Sequence, residues 1–185
     1  MKNVPTWDDV VKARTVLAKT NYEYWVHHNL FSFGWWILVV ACIITAGIWW
    51  KLVDKKRIFE VMGFGLIIAA IASLLDELGA QNMLWGYPNM ILPLVPPLVS
   101  VNYFAFPTIY SLIYQYCPRW KTFVCAMVIM SAVFSFLTEP LLIWLRLYEL
   151  NNWKSIYSFP IYILIGICVK AIVDQLIQIR GAKTT

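Results

Sequence analysis

The residues most able to do chemistry are three carboxyls in apolar company: Asp76, Glu77 and Glu139. Glu139 is followed by Pro140 and by Leu-Leu-Ile-Trp-Leu before Arg146, so apolar sequence runs on past it for nearly two turns. A carboxyl sheltered from water can hold a proton near neutral pH, which suits a proton donor or a proton-coupled ligand. Asp76 and Glu77 end an apolar run, where the competing reading is a helix end among lipid headgroups. Gln81 and Asn82 follow that run, Asn102 and Tyr103 precede the next one, and Trp85, Tyr87 and Trp144 lie close by in sequence. Together these residues are candidates to line one outward-facing cavity, because apolar walls with a few polar points describe a ligand pocket. An ordinary aromatic belt with loop amides describes the same residues equally well.

The remaining polar groups carry simpler readings. His27 and His28 are adjacent, so they diverge on a helix and read as headgroup contacts rather than metal ligands. Lys170 and Asp174 stand four apart, as a self-paired couple whose long stem reaches for the interface. Glu60 beside Lys56 and Arg57 reads the same way. Cys42, Cys117, Cys125 and Cys168 are scattered singly, without the close pairing that a zinc site or a redox dithiol needs. No nucleotide loop, Ser/His/Asp arrangement or metal cluster appears, so no cofactor and no metal is expected.

The elements that must position the carboxyls are membrane spans. The chain is 61% hydrophobic and 14% charged, which no water-soluble fold of this length could cover. Leu30–Trp50 is free of charge and long enough for a hydrocarbon core of roughly 30 Å. The first 29 residues are polar and mixed in charge, unlike a cleavable signal peptide, so that run reads as a retained span. Trp7, Val10, Val11, Leu17, Ala18 and Trp25 recur at helical spacing behind Thr6 as a candidate N-cap, with Asp8 and Asp9 in the first turn, which predicts an amphipathic interfacial helix. The expected architecture is an all-α, polytopic bundle of about five transmembrane helices. Residues 1–29 form the amphipathic segment, 30–180 the bundle (spans about 30–50, 58–78, 98–116, 123–145 and 156–179), and 181–185 a tail. The net charge of +5 is clustered beside apolar runs, which points to anionic headgroups and away from nucleic acid.

Topology follows from the basic loops. Lys51, Lys55, Lys56 and Arg57 form one cluster and Arg119 and Lys121 another; both belong inside, so the chain crosses an even number of times between them. From Leu78 to Pro118 there is no Asp, Glu, Lys or Arg, enough for two crossings. Only one is needed, which leaves a proline-rich surplus holding Pro88, Pro93, Pro96 and Pro97. Residues 86–100 are therefore expected to form a re-entrant or irregular outer segment that packs against protein. The N-terminus then lies outside and the C-terminus in the cytoplasm. Counting about 1.5 Å per residue from the basic loops sets Asp76, Glu77 and Glu139 roughly 25–30 Å up, towards the outer leaflet. A short repeat at an offset of 62 residues, Ser73-Leu-Leu-Asp-Glu77 against Ser135-Phe-Leu-Thr-Glu139, would make helices one and two equivalent to three and four, with Glu77 and Glu139 at matching depths.

Two resemblances attach to these residues. Trp49-Trp50 with Asp54-Lys-Lys-Arg57, Asp76-Glu-Leu-Gly-Ala-Gln-Asn-Met-Leu-Trp85-Gly-Tyr87-Pro88, Leu92-Pro93, Phe106-Pro107, Tyr114-Gln-Tyr116, Phe136-Leu-Thr-Glu139-Pro140 and Trp153-Lys-Ser-Ile-Tyr157-Ser-Phe resemble an uncharacterised family of small Trp-rich polytopic membrane proteins of spore-forming Gram-positive bacteria. That likeness implies the bacterial inner (plasma) membrane and no activity. A local likeness, carried by Asp76, Trp85, Tyr87 and Leu92-Pro93, is to lycopene-cyclase-type membrane proteins, and implies a small bundle acting on isoprenoids through carboxyl proton donors. Their Pro-x-Glu motif is absent: Pro93 to Val99 reads Pro-Leu-Val-Pro-Pro-Leu-Val.

Three functions fit these observations. The first is a multi-pass protein with an outer-leaflet pocket for a lipid or apolar small molecule. The second is an acid-dependent, isoprenoid cyclase-like enzyme using Glu139 with Asp76 or Glu77. The third is a small proton-coupled transporter using the same carboxyls. Expected partners are membrane lipids and an apolar or isoprenoid ligand, and self-association is left open.

Overall fold

The computed structural model describes residues 4–93 and 98–182. Among the described residues the chain is all-α apart from two very short strands, and its order is dictated by caps and turns. Thr6 closes a capping box with Asp9, its backbone N–H donating to the Asp9 carboxylate at 2.8 Å, and α1 (Trp7–Tyr24) follows. That hydrogen bond lowers the pKa of Asp9 below the ordinary carboxylate range. None of α1 is buried. A π turn, Trp25–Asn29, leads to Ser32, whose hydroxyl accepts from the Trp35 N–H and caps α2 (Phe33–Leu52). Only Leu38 of α2 is buried.

Asp54 caps a basic 3-10 turn, and α3 (Ile58–Gln81) rises from it. Beyond α3 come β1 (Trp85–Gly86), an irregular stretch, a π turn at Ser100–Ala105 and α4 (Phe106–Tyr116). A second basic turn gives α5 (Trp120–Val133), which passes through a π turn at Phe134–Thr138 into α6 (Glu139–Trp144). The chain then makes β2 (Glu149–Leu150) and α7 (Ser155–Ala182). The core is the meeting of α3, α4, α5 and α7: Phe64, Ile68, Tyr110, Phe123, Met127 and Val169 are fully buried, and Phe64 stacks on Tyr114 at 4.4 Å.

Among the described residues, four helices are long and apolar enough to cross a membrane: Phe33–Leu52, Lys55–Gln81, Trp120–Trp144 and Ser155–Ile179. The expected span at 98–116 is a π turn joined to the short α4 and is not among them. Of the expected irregular segment, Pro88 to Pro93 lies in the described residues, whereas Pro96 and Pro97 fall outside them. Its backbone is indeed taken by protein groups. The indole N–H of Trp25 donates to the Met90 and Ile91 carbonyls at 3.1 Å, Trp35 donates to Ile91 at 3.1 Å, and the Tyr24 hydroxyl donates to Pro88 at 3.2 Å.

The strands pair antiparallel, Trp85 with Leu150 and Gly86 with Glu149. The pairing joins two helix–strand–helix units in chain order, α3–β1–α4 and α5/α6–β2–α7. Each unit leaves its first helix through a non-glycine residue in the left-handed region, Met83 at φ 54 and Arg146 at φ 57. The repeat seen at the offset of 62 residues thus falls on the first helices of these units.

Candidate functional site

A cavity of about 310 Å³ lies beneath the strand pair, between α3, α4, α6 and α7. Asp76 and Glu139 both line it, and both are buried, at 7% and 4% exposure. They reach it by different routes. In α3 the helix is regular and Asp76 faces inward. In the second unit the π turn Phe134–Thr138 spends one residue more than an α turn. Glu139, which the repeat aligns with Glu77, therefore arrives on the face that Asp76 occupies. Pro140 at the start of α6 lacks the N–H that a regular helix would use there, which favours the wider turn. The π turn at Ser100–Ala105 likewise runs into Pro107 and presents Asn102 to the same cavity.

Asp76 is fully engaged. Its Oδ1 accepts from the Trp85 indole N–H at 2.7 Å and the Tyr87 hydroxyl at 2.5 Å, and its Oδ2 accepts from the Asn102 amide. Three donors and no acceptor are the hydrogen-bond set of a carboxylate. Burial, and then the neighbouring Asp76, raise the pKa of the Tyr87 phenol well above its ordinary value, so it stays a donor. The Trp85 ring lies against Gly79: a Cβ there would come within 2.0 Å of it. Gly79 is thus what lets the indole approach Asp76.

Glu139 is half engaged. Its Oε1 accepts from the Tyr162 hydroxyl of α7 at 2.8 Å, while Oε2 has no hydrogen-bond partner among the described residues. The Ser155 and Ser158 hydroxyls are near enough to influence the carboxyl without completing a bond to Oε2, and the Ser158 oxygen accepts from the Trp153 indole N–H at 3.0 Å. The walls are aromatic. Phe106 lies 5.1 Å from Phe134 and 5.2 Å from Tyr162, Trp85 packs edge-on to Trp153 at 5.2 Å, and Tyr87 lies 5.5 Å from Tyr148. Burial raises the pKa of the Tyr148 phenol as well.

Of the residues expected from sequence, Asp76, Glu139, Asn82, Trp85, Tyr87 and Asn102 line the cavity. Glu77, Gln81, Tyr103 and Trp144 do not. Glu77 accepts from the Gln81 amide at 2.7 Å on the outer face of α3, Tyr103 is 46% exposed, and Trp144 is 77% exposed. Sequence reasoning passed over Phe106, Phe134, Tyr148, Trp153, Ser158 and Tyr162. The usable signal was a proline breaking an apolar helix, at Pro107 and Pro140, since each follows a π turn beside the site. His28 stacks with Tyr24 at 5.0 Å, and among the described residues no group of three His, Cys, Asp or Glu could hold a metal ion.

Lys170 departs from the snorkelling expected of it. It is 3% exposed, 3.3 Å from Asp174, with its ammonium 4.9 to 5.3 Å from the rings of Tyr114, Trp120 and Phe123. Together with Arg57, Glu60 and Pro118 it lines a second cavity at the opposite end of the bundle. The two basic turns therefore share one end and the strands the other.

No family model, curated protein or solved structure matches this chain.

Proposed function

We propose that the chain is a multi-pass membrane protein whose outward-facing cavity binds a lipid or apolar small molecule. The observation that carries this reading is an aromatic-walled cavity of about 310 Å³ holding a buried carboxyl, Glu139, with one oxygen free. A ligand's apolar body suits the walls and its polar point suits that oxygen.

The membrane setting is supported by the outside of the bundle. Ile43, Leu66, Leu74, Leu137, Leu164 and Leu176 are all exposed on the four apolar helices, which water would not tolerate in such number. With α4 and its π turn as a fifth crossing, both basic turns face the cytoplasm, the strand pair faces out, the N-terminus is outside and the C-terminus inside. α1 lies on the surface as an interfacial helix. The likeness to proteins of spore-forming bacteria favours the inner membrane.

The free oxygen on Glu139 also favours a second reading, acid-dependent chemistry on an isoprenoid, with Glu139 as proton donor and Asp76 as a fixed negative charge. The likeness to the lycopene-cyclase type supports it, and the missing Pro-x-Glu acid weighs against it.

Ala72 lines the cavity at 6% exposure, so Ala72→Phe fills it. Native mass spectrometry of the protein released from membranes should show a bound apolar molecule that this variant loses. The same molecule at the same occupancy in the filled variant would sink the cavity as its site.

A further inference from the structure

Resting on the reading of this cavity as a ligand site, we infer that its ligand is a lipophilic ammonium, with the charged nitrogen seated beside the Glu139 carboxyl among aromatic rings. Three observations converge on a cation. The described lining residues include two acids and no Lys, Arg or His. Asp76 spends both oxygens on protein donors, so of the two lining carboxyls it is Glu139 that keeps an unfilled acceptor, the buried Oε2. Three rings of the lining, Phe106, Phe134 and Tyr162, are clustered within 5.1 to 6.3 Å of one another, and Tyr162 is bonded to that carboxyl; aromatic faces attract a desolvated cation.

The same fold already holds an ammonium in this way. At the opposite end, the Lys170 nitrogen is caged by three rings with one carboxylate, Asp174, at 3.3 Å. The cavity under the strands repeats the recipe of rings plus one acid but leaves the cation's place open. A neutral alcohol could donate to Oε2, yet it would gain little from the rings. A fatty acid would meet two acids. The chemistry that answers both the acid's charge and the rings is an alkylated amine or quaternary ammonium on an apolar body.

The test uses the full chain in nanodiscs, with empty discs as the partition control. Octyltrimethylammonium and octanol are titrated by calorimetry. The cation should bind at least about ten-fold tighter than the alcohol, and Glu139→Gln should remove that preference while leaving the alcohol's weak binding in place. Equal binding of the two probes, both lost in Ala72→Phe, overturns the ammonium and leaves the cavity reading standing. No saturable binding of either probe overturns both. Should Glu139→Gln fail to fold, Tyr162→Phe tests the same point. It frees Oε1 while keeping the carboxyl, and should tighten the cation by about three-fold or more; an unchanged or weaker affinity overturns the seat at Glu139. Dodecylphosphocholine carries the same ammonium beside a phosphate. If it displaces octyltrimethylammonium the natural source is a choline-type headgroup, and if it does not the source is a free lipophilic amine; both results support the ammonium.

Discussion

At the residue scale the two carboxyls divide the labour, one structural and one open. Asp76→Asn turns an acceptor that serves three donors into an amide that must point its own N–H₂ at one of them. Thermal unfolding should show a loss of about 1–3 kcal/mol. Glu139→Gln disturbs a single bond, to Tyr162, and should cost well under half of that. A larger loss at Glu139 than at Asp76 would reverse the assignment. Gly79→Ala places a methyl on the Trp85 ring; it should cost about 1–3 kcal/mol and weaken ligand binding together with stability, read by calorimetry on the same samples. These residues were legible to different degrees. A charge in an apolar run announces itself, which is why Asp76 and Glu139 stand out in the sequence. Asp76 and Glu77 are neighbours of one chemistry, however, and only the helix face separates the buried one from the half-buried one. Tyr162 was hidden for the opposite reason: a tyrosine in an apolar helix looks like any interfacial ring until its partner is known.

At the element scale the site depends on a one-residue irregularity. A π turn is an insertion absorbed by the helix, so it can be withdrawn. Deleting exposed Leu137 together with Pro140→Ala should yield an uninterrupted helix that keeps Glu139 facing Tyr162, with little change in unfolding temperature. Deleting Val128 from the regular helix α5 should instead swing everything beyond it by about 100° and lower the unfolding temperature sharply. Equal damage from both deletions would show that the π turn does not set the register. The long helices were readable from charge-free runs and basic boundaries, because length and composition alone decide them. The π turns were not, since an apolar run shows no change of period where one residue is added. Nor were the strands: two residues each is too short for any alternation, and their pairing is made by loops far apart in sequence.

At the scale of the whole molecule, the charged turns and the strand pair mark two ends. Single cysteines at Lys56 and Lys121, in a chain with its four native cysteines replaced, should resist an impermeant thiol reagent applied to intact cells and react once the membrane is opened. A cysteine at Asn152 should react from outside in both cases. Labelling of Lys56 and Asn152 positions from the same side would overturn the proposed topology. The strand pair also governs how the cavity exchanges its contents. The main chain of β1 is bonded to that of β2, and the Leu84 carbonyl accepts from the Asn151 and Asn152 N–H groups at 2.9 and 3.0 Å, so this end of the cavity is roofed by backbone. The side wall is thinner: Leu78 lines the cavity and is still 52% exposed on the outer surface of α3. In the proposed setting, a ligand therefore arrives by moving two apolar side chains, Leu75 and Leu78, rather than by unzipping a sheet. Occupancy then follows the ligand's mole fraction in the bilayer, and doubling the lipid at constant total ligand should empty the site as effectively as a competitor.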